Sequence, residues 1–254
     1  WCQKRNYCET NPAKLVDPIQ EEPPDTNSLT LEHCLLILQE LKGMDKAIWC
    51  TLFLSGVRIG ELKGLRRGDL STSNHQLVVE RSVYKMGATA VKRYGKPFQQ
   101  TKSGKDRKLT IPQLLCDILG EWRDQTRGDE NPYDLMFTNP RTHGVINDDE
   151  FRKALKSAAT IAATKVKGSE PLDLADAKCH KARSAFARIY LSLGGNIEDL
   201  RRELGHTRIE TTMKYLRWAP GYKKSAFDLI TGAELGIALG TRFSTSLNDQ
   251  LRSL

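Results

Sequence analysis

The sequence has six cysteines (Cys2, Cys8, Cys34, Cys50, Cys116 and Cys179) but no C-x-x-C pair and no grouping of cysteine with histidine. A disulfide framework and a zinc site are therefore not expected. Cys34, Cys50 and Cys116 lie in apolar runs and read as small buried hydrophobes of a protein kept in a reducing compartment. The longest apolar run, AIWCTLFLSGV from Ala47, is too short to span a bilayer, so no membrane association is expected. No G-x-x-x-x-G-K-[ST] loop is present to cradle nucleotide phosphates, and no carboxylate cluster to hold catalytic metals. There is no internal repeat and no signal-peptide pattern. The chain begins at Trp1 rather than Met, so its native start is expected to lie upstream.

What is present is an ordinary globular composition, 39% hydrophobic and 28% charged over 254 residues, enough for one large domain or a domain with part of a second. An excess of 39 Lys and Arg over 31 Asp and Glu gives a net charge of +8, which fits a polyanionic partner. The excess is concentrated. From Lys85 to Lys108 there are eight cationic residues and one acid, Asp106. That segment also fits a solvated loop.

Residues 1–27 are rich in helix breakers, with NPA at 11–13 and PIQEEPPD at 18–25, and read as an entry segment. SLTLEHCLLILQELKG then predicts a helix capped by Ser28 or Thr30, with Leu31, Cys34, Leu35, Leu38 and Leu41 as its apolar stripe. DKAIWCTLFLSG predicts a more buried helix stopped by Gly56, and RIGELKGL a short third one. QLVVERSV at 76–83 and RKLTIP at 107–112 have strand character, so the basic segment between them becomes a long hairpin with KSGK as its turn. Helices follow at 113–125, 147–165, 181–193, 197–203, 208–216 and about 221–238, before a polar tail. The expected fold class is α+β, mainly helical, with a small antiparallel sheet.

Certain polar residues together suit chemistry at a phosphodiester. Arg58 follows Gly56 at a helix junction, with Glu61 placed to orient it or to close the helical turn. His180 and Arg183 share one helix face at i and i+3, where two donors can grip two oxygens of one phosphate. His206 follows Gly205 in a break between helices, and Tyr215 lies nine positions on. Lys102 sits in TKSGK, with Lys105 and Lys108 as close competitors. Taken singly, each has a plainer reading: a surface ion pair, a common tetrapeptide, a capping histidine, a phosphate-steering lysine, a half-buried packing tyrosine.

Together, and in this order, these segments resemble the tyrosine recombinase (phage integrase) family over about residues 28–220. SGVRIGELKGLRRGDL is similar to the family's first arginine box, T-G-x-R-x-x-E-L followed by L-x-W-x-D. TKSGKDRKLTIP resembles its lysine hairpin, HKARSAFA its H-x-L-R-H-x-F-A, and LGHTRIETTMKY its L-G-H-x-x-x-x-T-T-x-x-Y. Ala182 and Ser184 depart from the usual Leu and second His. The resemblance implies a tyrosine recombinase-type catalytic domain at 28–238, preceded at 1–27 by the end of a core-binding domain and its linker, and followed at 239–254 by a tail. On that reading the chain is a fragment of a longer protein. Arg58 and Arg183 would clamp the scissile phosphate and His206 would hold a non-bridging oxygen. His180 would hydrogen-bond the phosphate and take the tyrosine proton, and Lys102 would protonate the leaving 5′ oxygen. Tyr215 would attack phosphorus to give a 3′-phosphotyrosyl link.

A free tyrosine is only roughly 0.1% ionised at neutral pH, so neighbouring cations and a base must assist it. The resemblance further implies double-stranded DNA bearing an attachment site as partner, a homo-tetramer assembled on it, no metal, no cofactor, and a cytoplasmic, nucleoid-associated location in a prokaryote. The segment at 221–238 would pack on its own domain or dock on a neighbouring protomer. A type IB topoisomerase, a telomere resolvase and a non-catalytic DNA-binding protein of the same fold remain open alternatives.

Overall fold

The computed structural model describes residues 28–84, 95–101, 106–165 and 178–219, together with isolated positions 5, 7, 9 and 10. The expectations for the 1–27 linker, for Lys102, for the helix at 221–238 and for the tail at 239–254 lie outside the described residues.

The chain opens with α1 (Leu31–Glu40), whose cap is reciprocal. The His33 amide donates to Thr30 Oγ1 and the Thr30 amide to His33 Nδ1, both at 3.2 Å. That bond turns His33 inward, and the buried stripe becomes His33, Cys34, Ile37 and Leu38. Leu31 and Leu35, expected as members of it, only flank it. The next helix, α2 (Gly43–Ser55), is the core of the domain: Trp49, Cys50, Leu52 and Phe53 are at most 1% exposed. Trp49 Nε1 donates to the Cys34 carbonyl at 3.0 Å and ties α2 to α1. Gly56 ends α2 in the left-handed conformation at φ 62°. A short α3 (Ile59–Leu62) and a 3₁₀ turn (Arg67–Asp69) lead into the sheet.

The five strands are β1 (Leu70–Ser71), β2 (Gln76–Val79), β3 (Arg81–Val83), β4 (Phe98–Gln100) and β5 (Arg107–Thr110). Alternation along 76–83 predicts one strand, but the segment changes partner at Glu80. β2 lies antiparallel between β1 and β5, whereas β3 pairs with β4 alone. The cause is on the return strand. Only Glu80 separates β2 from β3, while the return path runs from Gln100, opposite Arg81, to Arg107, opposite Val79. KSGK at 102–105 therefore falls in the chain between β4 and β5, and not between the paired strands β3 and β4.

Four further helices close the domain: α4 (Gln113–Gln125), α5 (Asp148–Lys165), α6 (Cys179–Ser192) and α7 (Ile197–Leu204). α5 packs on α1, while α4 and α6 pack on α2. Then come α8 (Ile209–Met213) and a 3₁₀ turn (Leu216–Trp218). Helix is expected through 216, yet α8 stops at Met213. β-branched Thr211 and Thr212 add little helix propensity to so short an element. A second apolar cluster of Ala187, Leu191, Leu200, Leu204 and Ala219 joins α6 to α7 and carries Tyr215 and Leu216 against it.

Gly56 is where these layers meet. A Cβ there would lie 2.5 Å from Phe186 Cδ1 and 2.9 Å from Leu204 Cδ2, whereas a Cβ on Gly194, at φ 84°, would meet nothing within 4 Å. Gly56→Ala is expected to cost about 2–4 kcal/mol and Gly194→Ala only about 1 kcal/mol, because the second carries the backbone cost without the clash. Urea denaturation of the two variants checks this, and equal losses would show that the contact at Gly56 is relieved by small shifts.

Candidate active site

The helix ends around Gly56 and Leu204 carry the site. Arg183, on the buried face of α6 and 7% exposed, donates through one guanidinium nitrogen to the Gly56 carbonyl. Its other terminal nitrogen reaches the Leu204 carbonyl at 2.5 Å and His206 Nε2 at 3.1 Å. Gly56 and Leu204 lie at the C-terminal ends of α2 and α7, where unpaired carbonyls hold partial negative charge. A buried cation is thus held by backbone dipoles, and among the described residues no carboxylate bonds to it directly. Burial, followed by the charge of Arg58, lowers the Arg183 pKa to about 10, which leaves it charged at neutral pH.

Arg58 caps α3. Its amide and its guanidinium both donate to the Glu61 carboxylate at 2.9 Å. The sequence offered two jobs for Glu61, and it does both. It also does a third, because Arg107 at the start of β5 donates to the two Glu61 oxygens at 3.1 and 2.6 Å. Arg107 Nε reaches the Glu203 carbonyl at 3.0 Å, so the same guanidinium fixes the end of α7. Burial alone would raise the Glu61 pKa, but the hydrogen bonds and charge of Arg107, then of Arg58, outweigh it and hold the carboxyl at about 2. Beside Lys102 the sequence offers Lys105 and Lys108 as competitors, and no motif gives Arg107 a role. The signal was present: Arg107 is in phase with buried Leu109, on the face of β5 that turns inward.

His206 follows the left-handed Gly205, which ends α7 at φ 63°. Arg201 clamps this turn, donating to the His206 carbonyl at 2.7 Å while bound to Glu198 at 2.8 and 2.6 Å. The imidazole is 8% exposed, with Nδ1 2.9 Å from Thr212 Oγ1. Burial, then the charges of Arg183, Arg58, Arg107 and Arg201, lowers its pKa to about 4, so the ring is neutral at pH 7. The half-buried Tyr215 ring stacks on His206, with centroids 6.2 Å apart and planes 12° apart. Tyr215 sits in the turn after α8, where its amide donates to the Thr212 carbonyl at 3.0 Å.

The structure therefore brings Arg58, Arg183, His206 and Tyr215 together and adds Glu61, Arg107 and Thr212. His180 is exposed in the first turn of α6, one turn ahead of Arg183. Lys102 lies outside the described residues, in the segment that ends just before Arg107. Among the described residues no group of three or more His, Cys, Asp or Glu stands together as a metal site. Three guanidiniums against one carboxylate leave the patch cationic, with a phenol at its edge. Such a patch can bind a phosphate-class oxyanion and present a hydroxyl to it.

A family model described as the phage integrase family matches residues 27–220. The chain is similar to an integrase of Escherichia phage P2, 29% identical over 219 residues that cover 86% of this chain and 51% of that protein. It is also similar to a XerC-like tyrosine recombinase of Caldanaerobacter subterraneus, 26% identical over 88% of this chain and 60% of the relative. It thus spans about half to three fifths of these relatives. Among solved structures, the Tn1549 transposon integrase in complex with circular intermediate DNA shares the fold, with a TM-score of 0.62, 18% identity, and coverage of 90% of this chain and 72% of that one.

The ion cluster sets a pH signature. A carboxyl held near 2 in the folded state contributes stability that is complete above its unfolded value of about 4.3 and is lost as pH falls toward 2. Glu61→Gln is expected to cost about 3–5 kcal/mol at neutral pH, since it strands two arginines. The gap to the parent protein should narrow as pH drops below about 4.3. Urea denaturation across this range measures it, and a gap that does not change with pH would remove the charge of Glu61 from the account.

Proposed function

The chain belongs to the phage integrase family, and from that premise we propose that it is a site-specific DNA recombinase. It cleaves and rejoins double-stranded DNA through a 3′-phosphotyrosyl intermediate. The observation that carries this reading is the convergence of Arg58, Arg183 and His206 beside the Tyr215 ring.

The scissile phosphate sits between Arg58 and Arg183. The charge that builds on its non-bridging oxygens in the transition state is met by guanidiniums already held in place by Glu61 and by the Gly56 and Leu204 carbonyls. His206 donates to a non-bridging oxygen. Tyr215 attacks phosphorus as His180 takes its proton, and Lys102 supplies a proton to the departing 5′ oxygen. The bond to tyrosine replaces the broken phosphodiester, so rejoining needs no nucleotide energy source. DNA of the attachment site is the substrate, and a tetramer on that DNA performs the exchange. The catalytic domain is assigned to 28–238, with the end of a core-binding domain and its linker at 1–27 and a polar tail at 239–254. The similarity to a phage integrase and to a XerC-like tyrosine recombinase supports the recombinase reading, as does a family model that matches residues 27–220 and so includes every site residue from Arg58 to Tyr215.

A nicked suicide duplex tests this at low, stated salt, because phosphate contacts make binding strongly salt-dependent. The protein is expected to yield a covalent protein–DNA band that Tyr215→Phe abolishes and that Arg183→Ala lowers by about 100- to 1,000-fold. A band that persists in Tyr215→Phe would remove Tyr215 as the nucleophile. Absence of a band with every candidate attachment site would favour a binding protein, and plasmid relaxation without site preference would favour a topoisomerase.

A further inference from the structure

Thr212 is 0% exposed, and its hydroxyl lies 2.9 Å from His206 Nδ1. On the other side of the ring, Arg183 lies 3.1 Å from Nε2. A guanidinium only donates hydrogen bonds. Nε2 must therefore accept, and the single proton of the neutral ring is on Nδ1, where the Thr212 oxygen accepts it. A threonine hydroxyl can equally donate. Here it is prevented from doing so, and its own proton has no acceptor among the described residues.

One neutral imidazole has one lone pair to offer, so Arg183 and Thr212 cannot both donate to it. The charged donor prevails in the free protein, and a buried hydroxyl proton is left without an acceptor among the described residues, which is unfavourable. An arriving phosphate reverses the balance, because its oxygens draw the Arg183 N–H away from the ring. This step rests on the reading of the site as a phosphodiester site.

We propose that Thr212 is a positioning residue that selects the His206 tautomer, and that the ring proton changes nitrogen when phosphate takes Arg183 away. One proton leaves Nδ1 for water and one arrives from water at Nε2, so the charge of the ring is unchanged. Thr212 then donates to Nδ1, its hydroxyl proton is satisfied, and Nε2–H points to a non-bridging oxygen. Thr212 also accepts the Tyr215 amide at its carbonyl, so the residue that turns the histidine into a donor holds the turn that bears the phenol.

The test is a long-range proton–nitrogen NMR spectrum of the full chain labelled at histidine nitrogen, with His206 assigned by loss of its signal in His206→Gln. The free protein is expected to show the Nδ1–H tautomer, and saturating inorganic phosphate to convert it to Nε2–H. Thr212→Val should fail to complete this conversion and should lower the rate of covalent adduct formation about 10- to 100-fold without changing DNA affinity, while Thr212→Ser restores both within a few-fold. A merely structural threonine would leave the ring tautomer alone. An Nε2–H ring in the free protein, a ring unchanged by phosphate, or a Thr212→Val protein that titrates and cleaves like its parent would each overturn the proposal. If no DNA yields an adduct, the recombinase reading fails, and the spectra of the free and phosphate-bound protein still decide the tautomer switch.

Discussion

Glu61 carries a carboxylate into a position 1% exposed, and three parts of the molecule depend on how its charge is met. Removing such a group from water costs several kcal/mol unless partners return it. Arg58 does so from the start of α3 and Arg107 from the start of β5, and Arg107 passes the constraint on through its bond to the Glu203 carbonyl in α7. Helix junction, sheet and second helical layer are thereby registered on one ion cluster. The fit is close on the α7 side, where a Cβ on Gly205 would come within 3.2 Å of the Arg107 guanidinium. The carboxylate does not exhaust the arginines. Arg58 keeps a side chain 31% exposed, so the cluster both locks the fold and leaves a cation facing outward.

Arg183 solves a related problem differently. Its charge is buried, yet its partners are helix-end carbonyls and an imidazole, none of which carries a full negative charge. The patch therefore stays net cationic while each of its members is held. This combination favours a bound oxyanion, because the donors are ordered before the ligand arrives and little has to be rearranged on binding. Burial, reinforced by the same field, explains the neutral histidine. A buried ring set among four arginines does not take a proton near pH 7, so a hydrogen bond it donates is that of a neutral ring, whose direction is set by its other nitrogen's partner.

Much of this was legible in the residues. The buried character of α2, its stop at Gly56, the break at Gly205 and the i, i+3 pairing of His180 with Arg183 follow from periodicity and from the backbone freedom of glycine. Other features depend on contacts that no local pattern encodes. Alternation through Leu77, Val79 and Val83 continues in phase across Glu80, so nothing along that strand reports its change of partner. The cause lies more than twenty residues further on, in the return path from Gln100 to Arg107. His33 turned inward because it closes the cap of α1, and that rotated the expected apolar stripe. Arg107 could have been found by its phase with Leu109. Thr212 falls on the T-T of the motif LGHTRIETTMKY, but the motif gives it no role until the imidazole is placed against it.

Tyr215 shows why packing and chemistry need not be alternatives. Its ring rests on the cluster of Ala187, Leu191, Leu200 and Leu204 and stacks on His206, as a half-buried packing residue would. Those contacts are also what a nucleophile needs. A phenol on a free turn would sample many positions, and positioning of the reacting atom is worth several kcal/mol of a barrier. Leu204 makes the coupling concrete. Its side chain belongs to the cluster under Tyr215 and its carbonyl receives Arg183. The apolar cluster and the cationic patch thus share a residue, and the distance between the proposed nucleophile and the proposed phosphate clamp is set by the packing of α6 against α7.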